Sequence, residues 1–104
     1  MTKIAITQID CAVGDVDANV SKACDMIADA ASQGADLVLL PEVFTTGFVL
    51  ADQPELAESI PGPTTERFSR AAVDGGTFVV AGMAERDPGT GDLHNAAVVI
   101  APDG

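Results

Sequence analysis

The chain has no tryptophan, no tyrosine and only four phenylalanines among its 104 residues. Its core must therefore be built mainly from Val, Ile, Leu and Ala. Cysteine is scarce too. Cys11 and Cys24 show no CxxC spacing, so neither metal ligation nor a dithiol redox motif is indicated. Lysine occurs twice, and five Lys and Arg face sixteen Asp and Glu, for a net charge of −11. Such a surface is a poor partner for DNA, RNA or an anionic membrane. No apolar run approaches the length of a membrane span. The apolar stretch after Lys3 stops at Thr7-Gln8, too soon for a secretory signal. A soluble, cytoplasmic protein is expected, and the sequon Asn19-Val20-Ser21 is then a chance match.

What is present suits one small domain. Hydrophobic residues make up 47% and charged residues 20%, a globular balance rather than a disordered one. Lys3 to Gln8 is short and β-branched and reads as a strand. A loop comes next, turning at Gly14-Asp15, and Asp17 or Asn19 is placed to cap a helix. Val20, Ala23, Cys24, Ile27, Ala30 and Ala31 then recur at helical spacing, with Asp25 and Asp29 on the wet face. Gly34 stops the helix. Asp36 to Leu40 is a second strand, apolar at every position from Leu37, as in a strand covered on both faces. Strand, helix and strand form a βαβ unit.

Pro41 to Pro63 lacks periodicity, although "DQPELAES" has room for one helical turn. So long a connection is usually functional or disordered. Thr64 or Thr65 starts a second helix, buried through Phe68, Ala71 and Ala72 and ended by Gly75-Gly76. Thr77 to Ala81 is a third strand, "ERDPGTGDLHN" a turn region, and Leu93 to Ala101 a fourth strand, antiparallel to the third. The order is β-α-β-(loop)-α-β-β, an α/β architecture with a mixed sheet. The fourth strand ends in Pro102-Asp103-Gly104, the start of a hairpin turn without a strand to pair with it. An apolar edge of that kind is avoided in soluble proteins, so the chain is expected to be a fragment of a longer protein. A small domain covered by a partner chain is the other reading.

One acid stands out. In "LVLLPEVFTTGF", Glu42 comes directly after the second strand, where chemistry collects in doubly wound folds. Burial disfavours the charged form of such a carboxylate and a neighbouring cation favours it; a side chain tuned in this way suits general-base work. An acid in this position also commonly caps a helix or sits in water. Asp10, Asp15 and Asp17 cluster after the first strand and raise the question of Mg²⁺.

"GADLVLLPEVFTTGF", Gly34 to Phe48, closely resembles the first signature of the carbon–nitrogen hydrolases, the nitrilase superfamily. "IAITQIDCAVGDVDANVSKA" resembles their opening strand, turn and helix, and "SIPGPTTERFSRAA" the approach to their second helix. "VVAGMAERDPGTGDLHNAAVVIAPDG" is similar to their following hairpin, with His94-Asn95 at the aromatic-Asn pair. The resemblance implies part of a four-layer α-β-β-α sandwich, with residues 1–104 the N-terminal part of the domain. It implies a Glu–Lys–Cys triad acting on a small amide or nitrile, with Glu42 as general base to the thiol and the lysine at the oxyanion.

The family's lysine and cysteine motifs do not occur in these residues. Lys3, Lys22, Cys11 and Cys24 match neither, so the chain alone is expected to be inactive. Phe48 stands where the resemblance puts a wall of the pocket entrance. His94 is read as packing rather than as a base, and Asn95 as tying the hairpin to its neighbours. Glu85 is read as a structural residue pairing with Arg86 or Arg70. No cofactor and no metal is implied, and a homo-oligomer through the helical layer is expected of the full-length protein. The alternative is a non-catalytic α/β binding or interaction module completed by a partner.

The excess of Asp over Glu, eleven to five, fits a protein adapted to a high-salt cytoplasm. Self-repulsion at −11 weakens as salt screens it. The thermal midpoint is therefore expected to rise between dilute buffer and molar KCl. A flat or falling midpoint would leave only a generic acidic protein.

Overall fold

Four strands and two helices form the framework of the chain in a computed structural model that describes all 104 residues. The order is β1 (Ile4–Ile6), α1 (Val16–Ser32), β2 (Leu37–Leu39), α2 (Pro63–Gly75), β3 (Phe78–Arg86) and β4 (Leu93–Ile100). The sheet order is β1-β2-β3-β4, with the first two pairings parallel and the last antiparallel. Each crossover steps one strand in the same direction. Right-handed crossovers then place α1 and α2 on the same face. The helices pack on each other and on the sheet, and the opposite face is left open.

Local chemistry explains most boundaries. Asp15 caps α1, its carboxylate accepting the Ala18 N–H at 3.1 Å. The cap is thus neither Asp17 nor Asn19. Asp17 lies in the first turn and pairs with Arg67 at 3.0 Å, the one ion pair in the chain. Asn19 is 1% exposed. Its amide bonds both the N–H and the carbonyl of Ala12, at 2.7 and 2.8 Å, and the carbonyl of Thr45 at 3.0 Å. With its nitrogen so engaged, Asn19 is no acceptor for a glycan in the folded state. Gly34, at φ +85°, lies just past the end of α1 as expected.

Helix α2 begins one residue earlier than its threonines suggest, with Pro63 in the first turn and Gly62 as cap. Thr65 accepts the Gly62 N–H at 2.8 Å. Glu58 covers the same end by accepting the backbone N–H of Thr64 at 2.9 Å and its hydroxyl. A single 3₁₀ turn, Pro54–Leu56, occupies the "DQPELAES" stretch.

The core lies between the sheet and the helices. Ile27, Val38, Val79, Ala81 and Ala72 fill it, together with Phe68 and Phe44, whose rings stack at 6.0 Å. It is therefore aliphatic with an aromatic pair at one end. On the other face Ile4, Ile6, Leu39, Phe78 and Val99 point outward, Ile6 being 75% and Val99 70% exposed. The uninterrupted apolar run of β2 is thus only half used: Val38 is buried on the helix side, whereas Leu39 faces outward. The hairpin is longer than expected. β3 runs through Glu85 and Arg86, which pair with His94 and Leu93, so the turn shrinks to Asp87–Asp92.

The open face receives one visitor. Beyond β2 the chain turns across β3 at Gly82. A Cβ built on Gly82 would lie 2.7 Å from the Cα of Glu42 and 2.9 Å from the Pro41 carbonyl and the Val43 nitrogen. Glycine within a strand ordinarily costs about 0.5–1 kcal/mol relative to alanine, so propensity alone favours Gly82→Ala. The obstructing atoms are backbone, and overpacking costs about 1–3 kcal/mol. Gly82→Ala is therefore expected to lower stability by roughly 1–2 kcal/mol, read as a lower midpoint of urea unfolding. A variant as stable as the parent would show that the turn does not rest on β3.

Candidate functional site

Glu42 stands at the carboxyl end of the central β2. Leu40 continues the ladder by donating to the Val80 carbonyl at 2.8 Å. Pro41, which has no N–H, ends it. Glu42 to Thr46 then form a turn closed by the Gly47 N–H on the Val43 carbonyl at 2.9 Å. Val43 adopts φ +47°. For a β-branched residue that is a true outlier, costing on the order of 1–3 kcal/mol. Val43 and Phe44 are both buried, and burying two such side chains contributes about 1.5–3 kcal/mol each, enough to hold the strain. Asn19 on the Thr45 carbonyl and the Gly14 N–H on the Thr46 carbonyl at 2.8 Å fasten the rest of the turn.

The consequence is an alternation in direction. Val43, Phe44, Thr45 and Thr46 turn inward, and Glu42 turns out onto the open face. Its carboxylate is exposed there rather than half-buried against the core. It is not loose: Asn95 Nδ2 on β4 donates to Glu42 Oε1 at 2.6 Å. No cation pairs with it. Glu42 borders two shallow depressions on this face. One, of about 350 Å³, is lined by Leu39, Val80, Gly82 and Asn95 among others. The second runs along β1 past Ile6, Thr7 and Gln8.

The other candidates lie elsewhere. Phe48 is 82% exposed and borders neither depression. Cys11 and Cys24 border neither as well. Cys24 packs against the helix-side core, and burial pushes its thiol up, against the opposing pull of Arg67. Lys3 and Lys22 spend their ammonium groups on the carbonyls of Gln33 and Asp10. Asp10, Asp15 and Asp17 do not converge: Asp15 caps α1, Asp17 holds Arg67, and no group of three or more acids, histidines or cysteines is placed to hold a metal ion. His94 is exposed opposite Glu85. Glu85 forms no ion pair with Arg86 or Arg70; Arg86 reaches the Pro54 carbonyl instead. The expected pairing with Arg86 fails because neighbours on a strand face opposite sides.

Two contributors escape a reading of the sequence. Gly82 interrupts the apolar run "FVVAGMA", and a glycine inside a strand signals close approach of another backbone. Nothing in the sequence marks the left-handed conformation of Val43.

A model of the family described as carbon-nitrogen hydrolase matches residues 3–104. A nitrilase from Pyrococcus abyssi is 43% identical over 109 residues, which cover all of this chain and 40% of that protein. The omega-amidase NIT2 of Xenopus tropicalis is 36% identical over 105 residues, covering all of this chain and 38% of the relative. The chain thus spans about two-fifths of the length of these relatives. In crystal structures, Saccharomyces cerevisiae Nit3, a member of branch 10 of the nitrilase superfamily, superposes with a TM-score of 0.85. It is 26% identical, over 99% of this chain and 41% of that one. The sheet with helices on one face is part of a four-layer sandwich of the nitrilase type, and the chain belongs to the carbon–nitrogen hydrolase family of the nitrilase superfamily.

Proposed function

We propose that residues 1–104 are the N-terminal part of a carbon–nitrogen hydrolase domain that cleaves a small amide or nitrile, with Glu42 as its general base. The observation that carries this reading is the placement of Glu42. A strained, anchored turn delivers its carboxylate to the rim of the open face, held at one oxygen by Asn95. A structural helix cap or a freely solvated acid needs neither the strain nor the clamp.

In the proposed chemistry the nucleophile is a cysteine thiol outside these residues. Glu42 takes the thiol proton as sulfur bonds to the substrate carbon. A lysine, also outside these residues, stabilises the negative charge that develops on the substrate oxygen or nitrogen. For an amide, the C–N bond then breaks, the amine leaves with a proton, and water hydrolyses the thioester. Phe48, exposed six positions beyond Glu42, is available to wall the entrance for substrate. The segments that carry lysine and cysteine would also cover Ile6, Leu39 and Val99.

In the full-length protein, Glu42→Gln is expected to lower kcat by about a hundredfold to ten-thousandfold, with little change in thermal midpoint. The 104-residue chain by itself is expected to show no turnover of small amides or nitriles. Wild-type-like turnover by the Gln variant would reject the base assignment. Turnover by the short chain would reject the need for outside residues. A gene that stops at codon 104, with a protein partner covering the open face, would favour a non-catalytic module.

A further inference from the structure

We propose that Asn95 is the positioning residue of the general base: it pins Glu42 Oε1 and leaves Oε2 as the oxygen that receives the thiol proton. The inference rests on the assignment of Glu42 as base.

The two side chains come from positions 53 apart, and each has the other as its sole side-chain hydrogen-bond partner. Asn95 is fixed by its strand. β4 pairs with β3 in unbroken register from Leu93–Arg86 to Ile100–Val79, with Asn95 opposite Ala84. Residues two apart on a strand share a face. Asn95 therefore stands on the same side as Ala97, the cross-strand partner of Gly82, over which the Glu42 backbone lies. The backbone end of the glutamate is fixed by Gly82 and its carboxylate end by Asn95.

Without the second anchor, a glutamate on an exposed rim loses its orientation to rotamer freedom. A base has to meet its proton within hydrogen-bond reach. The donor at 2.6 Å is a neutral amide. A lysine or arginine there would orient the carboxylate as well, but its charge would favour the ionised form strongly and weaken the base. Apart from Glu42, no titratable side chain borders either depression. Glu85 and His94 oppose each other on the other face of the sheet, and Arg86, on the same face as Asn95, is turned to the Pro54 carbonyl and borders neither depression. Asn95 thus orients the base without a competing charge.

The test reads thiol activation directly, so it does not require the substrate to be known. In the full-length protein the cysteine is alkylated with iodoacetamide at neutral pH: the S–C bond forms, iodide leaves, and Glu42 accepts the thiol proton. Glu42→Gln sets the floor. Asn95→Ala is expected to slow alkylation and kcat on the order of tenfold to a hundredfold, with KM and thermal midpoint little changed. If that variant does not fold, Asn95→Leu, close in size, removes the donor without adding a charge and is expected to slow alkylation equally. Parental alkylation in a folded Asn95 variant, alongside a slow Glu42→Gln, overturns the positioning role alone. Parental alkylation in Glu42→Gln overturns the base assignment beneath it. A fall in thermal midpoint with unchanged alkylation shows a structural tie and also overturns the proposal.

Discussion

The site depends on one close contact, that between the backbone of Pro41 to Val43 and the bare Cα of Gly82. A side chain at Gly82 would lift the turn off β3. With the turn seated, the chain reverses so tightly that Val43 is driven to φ +47°. Burial and hydrogen bonding hold that strain: Val43 and Phe44 enter the core, and Asn19 and Gly14 grip the carbonyls of Thr45 and Thr46. Apolar burial on one side of the turn therefore sets the direction of a carboxylate on the other. A looser connection would leave Glu42 averaged over rotamers, whatever donor stood near it.

The same arrangement explains why the molecule is two-sided. Three parallel strands laid down in sequence order, joined through helices by the crossover hand that such units favour, put both helices on one face. The helix face carries Val38, Val79, Ala81 and Ile100 into a core that holds Phe68 and Ile27. The opposite face carries Ile4, Ile6, Leu39, Phe78 and Val99 with nothing over them. On a chain with sixteen acids and a single ion pair, Glu42 is the one carboxylate that borders the two depressions of this face. An open apolar face fits membership of a family whose four-layer sandwich these residues build only in part.

How much is legible in the sequence depends on the range of the interactions. The βαβ unit, the end of α1 at Gly34, the second helix through Phe68 and Ala72 and the antiparallel hairpin are local patterns, and they are present. Glu42 is legible as a residue at the end of β2. The cap of α1 is ambiguous in the sequence because Asp15, Asp17 and Asn19 are all capping types, and only the fold shows that Asn19 is needed inside. The third strand reads short because Gly82 interrupts it and Glu85 and Arg86 are polar, although pairing of the backbone with β4 continues to Arg86 and Leu93. The exposure of Glu42 and its bond to Asn95 join residues 53 positions apart. No periodicity encodes such a contact.

On the proposed reading, completing the sandwich and activating the base are one event. In the 104 residues alone the Asn95–Glu42 bond faces water, which competes for both partners. A layer laid over Ile6, Leu39 and Val99 would exclude that water, and a hydrogen bond in a drier site is electrostatically stronger. Oε2 would then have the incoming thiol as its partner. The apolar side chains around the carboxylate supply the affinity for the covering layer, and Gly82 and Asn95 decide where its sulfur must meet oxygen. A layer that covered the face in a shifted register would bury the same apolar surface and miss the proton. The fixed carboxylate therefore selects the productive register, because only there does a buried, charged oxygen gain the donor it needs.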